Sequence, residues 1–151
     1  MPWIEQLRWA DWSQAGCISL AAYVLGCFTT GYYLVRARTG EDLRQLGSGS
    51  VGARNVGRRL GWRGFALTVL GDFGKGALAV WAARYFTAED GCAALALLAV
   101  VAGHVWPAQL HFRGGKGMAT SLGALLIYDW RLEIAFAILF AVAFAALRKS
   151  V

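Results

Sequence analysis

A chain of 151 residues is enough for one domain. Its 58% hydrophobic residues against 16% charged exclude an ordinary soluble domain, which sits near about 45–50% apolar and about 25% charged and could not hide this much apolar surface. The formal net charge of +6 then reads as basic loops against anionic lipid headgroups rather than as a nucleic-acid surface.

Residues 1–15 mix Trp3, Trp9 and Trp12 with Glu5, Arg8 and Asp11. Tryptophan among charges suits the membrane–water boundary, so this segment is expected to be interfacial, with a frayed terminus as the other reading. It lacks the basic start and small-residue cleavage site of a signal peptide. Residues 16–35 are uncharged and about one crossing long, since a crossing takes roughly 20 residues. Gly26 and Gly31 would let a second helix approach closely. Residues 36–63 form a polar loop with Arg36, Arg38, Arg44, Arg54, Arg58, Arg59 and Arg63 against Glu41 and Asp42. That asymmetry predicts a cytoplasmic loop.

Residues 65–86 are predicted as a second crossing, interrupted by G-D-F-G-K-G. Asp72 and Lys75 are three apart, share one helical face and can pair. A charge at the membrane centre costs about 2.5–3.5 kcal/mol on insertion scales, so both are expected to face the interior, as functional groups or as a packing ion pair. A short acidic loop with Glu89 and Asp90 should lie outside. Residues 92–110 cross next, carrying His104 and Pro107 near the cytoplasmic end, and residues 111–116 form a second basic loop. Residues 117–128 are apolar but span only about 18 Å as a helix. Asp129, Trp130 and Arg131 make a turn before a last crossing over 132–147. The expected fold is all-α: a polytopic integral membrane protein with about five transmembrane helices, residues 16–151 forming one embedded domain. Cys17, Cys27 and Cys92 read as small buried hydrophobes, and no Cys/His spacing suggests a metal site.

Two stretches carry the chemistry. Residues 47–61 read G-S-G-S-V-G-A-R-N-V-G-R-R-L-G, and residues 112–120 read F-R-G-G-K-G-M-A-T. Glycines let backbone N–H groups gather around an anion, and arginine supplies a planar fork of donors for phosphate. The G-x-G-x-x-G at 47–52 follows no buried strand, which argues against a dinucleotide fold, and Lys116 is followed by glycine, which argues against a P-loop. Ser48, His104 and Asp72 fall near one membrane face but lack the nucleophile elbow of a hydrolytic triad. No inverted repeat suggests a transporter.

These blocks, with D-F-G-K-G-A and A-G-H-V-W-P between them, resemble the acyl-phosphate-dependent glycerol-3-phosphate acyltransferase family (PlsY) of bacteria, over roughly residues 31–147. The resemblance implies transfer of an acyl group from acyl phosphate to glycerol 3-phosphate, giving lysophosphatidic acid and phosphate. The reaction would occur at the cytoplasmic face of the bacterial inner membrane, among membrane lipids and without a cofactor. By matching positions it implies a first phosphate site at Ser48, Gly49, Asn55 and Arg58. A second would lie at Arg113, Gly114, Gly115 and Lys116, with Thr120 just beyond. Ser48, Arg58 and Lys116 would be catalytic, while Asp72, Lys75 and His104 would line or brace the pocket. The family usually has Asn where this chain has Ser50, which keeps a hydrogen-bonding group, and Thr where it has Arg54, which adds charge. The family pattern continues through two further helices to a cytoplasmic motif bearing His, Asn and Glu, whereas this sequence stops at Val151. That keeps a second reading open: a fragment, or a catalytically incomplete paralogue, that binds phosphate or phospholipid.

Overall fold

The structure is a computed structural model and describes residues 12–87 and 89–148. The interfacial reading of residues 1–11 and the basic charge of Lys149 lie outside these residues. Five helices follow one another: α1 (Trp12–Cys27), α2 (Thr30–Thr39), α3 (Ala53–Thr87), α4 (Asp90–Val105) and α5 (Met118–Arg148). Short 3₁₀ turns at Leu43–Gln45 and Ala108–Leu110 sit in the two connecting loops. No strand occurs among the described residues.

The helices meet through small side chains. The core is Ala22, Ala79, Val80, Ala83, Ala93, Ala96, Val100 and Ala124. Lipid is as apolar as leucine, so helices in a membrane associate by close packing rather than by hiding large side chains. Two crossings are reciprocal. A methyl group added at Gly26 of α1 would strike the Val100 carbonyl of α4, and one at Gly103 of α4 would strike the Tyr23 carbonyl of α1. Gly76 and Gly123 stand in the same relation across α3 and α5, against the carbonyls of Thr120 and Phe73. The large side chains point outward: Leu20, Val24, Leu70, Leu78, Trp81 and Leu98 are all exposed, as expected of a lipid-facing surface. Cys27 and Cys92 are buried as expected, whereas Cys17 is exposed on α1, because the burial stripe of that helix runs through Ala15, Ala22 and Gly26.

Three stretches are long and apolar enough to cross a membrane: Trp12–Thr39, Ala53–Thr87 and Asp90–Leu110. The two last predicted crossings run on from each other as α5, interrupted at Asp129 (φ −160°, ψ 102°). Its first leg, residues 118–128, is about 16 Å long at 1.5 Å per residue. Thr120 packs on Gly76, so α5 begins level with the middle of α3. The break is held from outside the helix. Arg84 donates to the carbonyls of Ile127 (2.9 Å) and Tyr128 (2.8 Å), and the Asp129 carboxylate caps the second leg by accepting from the Arg131 N–H at 2.9 Å.

The polar loop expected over 36–63 is shorter than its composition suggests. Residues 53–60 are already helical, and Gly61 (φ 70°, ψ −168°) separates them from the rest of α3. The space around Gly61 is open, so glycine stands there for its backbone conformation. The leg before it buries Asn55 and Val56 while Arg54, Arg58 and Arg59 stay exposed. Val56 joins Val35, Leu43 and Val51 in a second core under the loop, and Arg59 pairs with Glu41 at 2.6 Å.

Candidate active site at two glycine loops

The buried charges of α3 meet the other helices at the break between α1 and α2. A broken helix frees carbonyls on one side and N–H groups on the other, with negative and positive dipole ends respectively. Lys75 Nζ donates to the carbonyls of Gly26 (3.0 Å) and Phe28 (2.7 Å), and Gln109 donates to that of Cys27 at 2.6 Å. The Asp72 carboxylate accepts from the Thr30 N–H at 3.2 Å. Each charge thus sits against the half-helix end of opposite sign. The pair is closed by Lys75–Asp72 at 3.1 Å, and Lys75 also meets His104 Nδ1 at 2.8 Å. An ammonium only donates, so Nδ1 accepts and the neutral ring carries its proton on Nε2. Asp72, Lys75 and His104 are only 3–6% exposed. The expectation that Asp72 and Lys75 face inward as a pair holds.

The second loop rests on this cluster. The N–H groups of Gly114 and Gly115 donate to the carbonyls of Val105 (3.1 Å) and His104 (3.0 Å), capping α4. No side chain fits at either glycine, since a methyl at Gly114 would strike the His104 carbonyl and one at Gly115 would strike the imidazole. These two N–H groups therefore serve the helix end and are not part of an open anion nest. Arg113 and Lys116 flank them, exposed. Thr120 is fully buried, and its hydroxyl has no partner in the structure.

The first loop is organised by Asn55. Its Nδ2 donates to the carbonyls of Leu43 (3.3 Å), Leu46 (2.9 Å) and Ser50 (3.0 Å), and its Oδ1 accepts from the Ser48 N–H at 3.2 Å. The Gly49 N–H donates to the Leu46 carbonyl, and the Ser50 hydroxyl accepts from the Gly52 N–H. Ser48 and Gly49 remain exposed, as does Arg58 on the helix that follows. What this loop offers a ligand is the Ser48 hydroxyl and the guanidinium groups of Arg54 and Arg58, while Asn55 holds the loop's shape. The Ser48–His104–Asp72 triad does not form: Ser48 stands exposed, whereas His104 is buried with Lys75 as its partner.

Arg44 joins the two loops, a contact that the sequence reading missed. Its Nε and Nη2 hold the Asp42 carboxylate, at 3.0 Å and 2.6 Å, and its Nη1 donates to the Leu110 carbonyl at 2.9 Å. The Arg44 hydrogen bonds hold the Asp42 carboxyl below the usual carboxylate range, and the same bonds push the Arg44 guanidinium up. Beside this clip lies a cleft of 450 Å³ lined by Asp42, Arg44, Gln45, His111 and Arg113. In sequence, Arg44 was one of seven loop arginines. Only its spacing of two from Asp42 hinted at a local pair.

The family profile described as "Glycerol-3-phosphate acyltransferase" matches residues 16–151. The chain is 47% identical over 140 residues to glycerol-3-phosphate acyltransferase 1 of Desulfitobacterium hafniense (strain Y51), covering 90% of this chain and 69% of that protein. It is 50% identical over 114 residues to the glycerol-3-phosphate acyltransferase of Clostridioides difficile (strain 630), covering 72% and 56% respectively. Among solved structures, it is similar to the glycerol 3-phosphate form of PlsY (YgiH), an integral membrane glycerol 3-phosphate acyltransferase. The TM-score is 0.75 at 34% identity, over 87% of this chain and 66% of that one. The lysophosphatidic acid form of PlsY gives a TM-score of 0.69 at 33% identity, over 83% and 61%. The chain therefore spans between 56% and 69% of the length of these proteins. With the matched region running from the second turn of α1 through both glycine loops and the buried cluster, the chain belongs to the glycerol-3-phosphate acyltransferase family.

Proposed function

We propose that this chain is a membrane acyltransferase that moves an acyl group from acyl phosphate to glycerol 3-phosphate, with its loops at the cytoplasmic face of a bacterial inner membrane. The observation that carries the reading is the Arg44–Leu110 bond. It ties together two loops, the first leading into the helix that carries Arg58 and the second carrying Arg113 and Lys116, at one end of an apolar bundle, where two phosphate-bearing substrates can be held beside lipid. The hydroxyl oxygen of glycerol 3-phosphate forms the new bond to the acyl carbon. The acyl–phosphate bond breaks, phosphate leaves, and the hydroxyl proton passes to a phosphate oxygen. The donor already carries its leaving group, so positioning and charge neutralisation can supply most of the rate. Arg58 and Lys116 hold the phosphates, and the Ser48 hydroxyl adds a donor to the same pocket. Gly49, Ser50 and Asn55 shape the first loop. Gly114, Gly115 and Thr120 seat the second on the Asp72–Lys75–His104 cluster.

The test is purified chain in phospholipid nanodiscs, given acyl phosphate and labelled glycerol 3-phosphate. Labelled lysophosphatidic acid with stoichiometric phosphate release is the expected result. Saturable binding of glycerol 3-phosphate without turnover would replace this reading by a phosphate- or phospholipid-binding membrane protein.

A further inference from the structure

We propose that the break between α1 and α2 is a monovalent-cation site that the chain fills with its own Lys75, and that this tethered cation positions the second glycine loop through His104. The positioning deepens the acyl-transfer reading and rests on it; the cation site does not.

An ammonium has three protons to donate. Lys75 Nζ meets four acceptors: the carbonyls of Phe28 (2.7 Å) and Gly26 (3.0 Å), His104 Nδ1 (2.8 Å) and Asp72 Oδ1 (3.1 Å). The shell holds one acceptor more than the lysine protons can serve, and Asp72, at the longest distance, is met as a charge. Three oxygens and a nitrogen around one buried positive charge form a coordination shell. Broken membrane helices build such shells from their freed carbonyls, which is how transporters hold sodium. Thr29 supplies a further oxygen. It lies in the break and is fully buried, and its hydroxyl has no partner among the described residues.

The same ammonium fixes His104. Lys75 holds the ring at Nδ1, and Gly115 lies so close to Nε2 on the other side that no side chain fits there. The Gly115 N–H also donates to the His104 carbonyl at 3.0 Å. Lys116, one residue on, is exposed. The line from Lys75 through His104 and Gly115 thus ends at a group proposed to hold a substrate phosphate. A displacement of about 1 Å at such a group costs up to about a hundredfold in rate. Lys75 and His104 act as positioning residues, and neither needs to touch substrate.

Lys75→Ala in phosphatidylcholine nanodiscs opens the shell. Thermal unfolding is followed in methylammonium, sodium or tetramethylammonium chloride at equal ionic strength. The variant should unfold at a lower temperature than the parent. Methylammonium or sodium should restore it, and tetramethylammonium, which has no N–H and a bulkier cation, should not. The parent should respond to none of them. Arg84→Gln, which frees the Ile127 and Tyr128 carbonyls at the α5 break, should be destabilised without responding to any cation. Equal rescue by tetramethylammonium, equal rescue of Arg84→Gln, or no rescue by either small cation overturns the cation site.

Kinetics test the positioning. In Lys75→Ala, KM for glycerol 3-phosphate should rise about tenfold or more and fall back with methylammonium, while kcat stays within about twofold. His104→Asn keeps an acceptor for Lys75 and removes the ring beneath Gly115. It should raise KM alike and gain nothing from methylammonium. A purely structural role would lower the folded fraction, and with it the apparent kcat, at unchanged KM; that result overturns the positioning. If no preparation, the parent included, transfers acyl groups, the acyl-transfer reading falls and hydrogen exchange at the Gly115 amide decides. Protection lost in Lys75→Ala and regained with methylammonium sustains the positioning, and unchanged protection overturns it.

Discussion

Arg58 and Lys116 are exposed, so if they hold the substrate phosphates as proposed, replacing them should remove those contacts and little else. Losing a charge-assisted hydrogen bond costs about 1.5–3 kcal/mol, or about ten- to a hundredfold in rate. Arg58→Ala and Lys116→Ala should therefore lower acyl transfer by that factor while thermal unfolding in detergent stays unchanged. A variant that unfolds as it loses activity would instead make the residue structural. Asn55 should behave in the opposite way. Asn55→Ala strips three carbonyls and the Ser48 N–H of their partner, at about 1–3 kcal/mol. Faster amide exchange across the first loop is the readout, and unchanged exchange would contradict its holding role. Asp42 adds a pH dependence. Its folded pKa is depressed by the Arg44 hydrogen bonds, so the clip contributes fully above the unfolded carboxylate value of about 3.9 and is lost as pH falls through the lower folded value. The protection factor of the Arg44 amide, which donates to Asp42 Oδ1, should be flat through neutral pH and fall only in acid below that range. A loss of protection near pH 6 would point to another group.

At the scale of the element, the organising feature is a helix broken at residues 28–29 and capped by charges from a neighbouring helix. Lys75→Met leaves Asp72 buried without its partner, which costs about 3–5 kcal/mol for a buried pair. Asp72→Asn together with Lys75→Met should cost less than the two single changes added, because the residues share one network. Additive losses in thermal unfolding would show that the pair does not act as a unit. Part of this element was legible in the sequence. Asp72 and Lys75 three apart, inside an apolar run, predicted a buried pair from spacing and insertion cost alone. The break they cap was not legible, because Cys27, Phe28, Thr29 and Thr30 carry no glycine or proline and the apolar run continues through them. The breaks at Gly61 and Asp129 show the same division. A turn was read at Asp129 from its polar neighbours, whereas the helix over residues 53–60 was hidden in a stretch whose glycines suggested a loop. The site divides similarly: the two glycine loops follow from local composition, but the Arg44–Leu110 clip joins positions 66 apart, and single-sequence patterns carry no such contact.

For the whole molecule, the question is which way the bundle faces. Both loops lie at one end, joined by the Arg44–Leu110 bond, and Arg84, Asp90 and Tyr128 gather elsewhere around the α5 break. The loop end carries Arg36, Arg38, Arg44, Arg54, Arg58, Arg59, Arg113 and Lys116 against Glu41 and Asp42. Short loops rich in arginine and lysine are retained on the cytoplasmic side, so the loop end is expected to face the cytoplasm. Single cysteines can test this in a background where Cys17, Cys27 and Cys92 are replaced by serine or alanine. Gln45→Cys, exposed in the first loop, should resist a membrane-impermeant maleimide added to intact cells and react once the membrane is opened. Glu89→Cys, exposed before α4, should react from outside in intact cells. The reverse pattern would invert the topology and remove the loops from a cytoplasmic pool of glycerol 3-phosphate. Reaction of both positions from outside would mean that the two loop ends do not lie across a bilayer from each other. The expected pattern would place the cleft and both basic loops on the side where water-soluble phosphate esters are made, with the apolar bundle beside them open to the acyl chains.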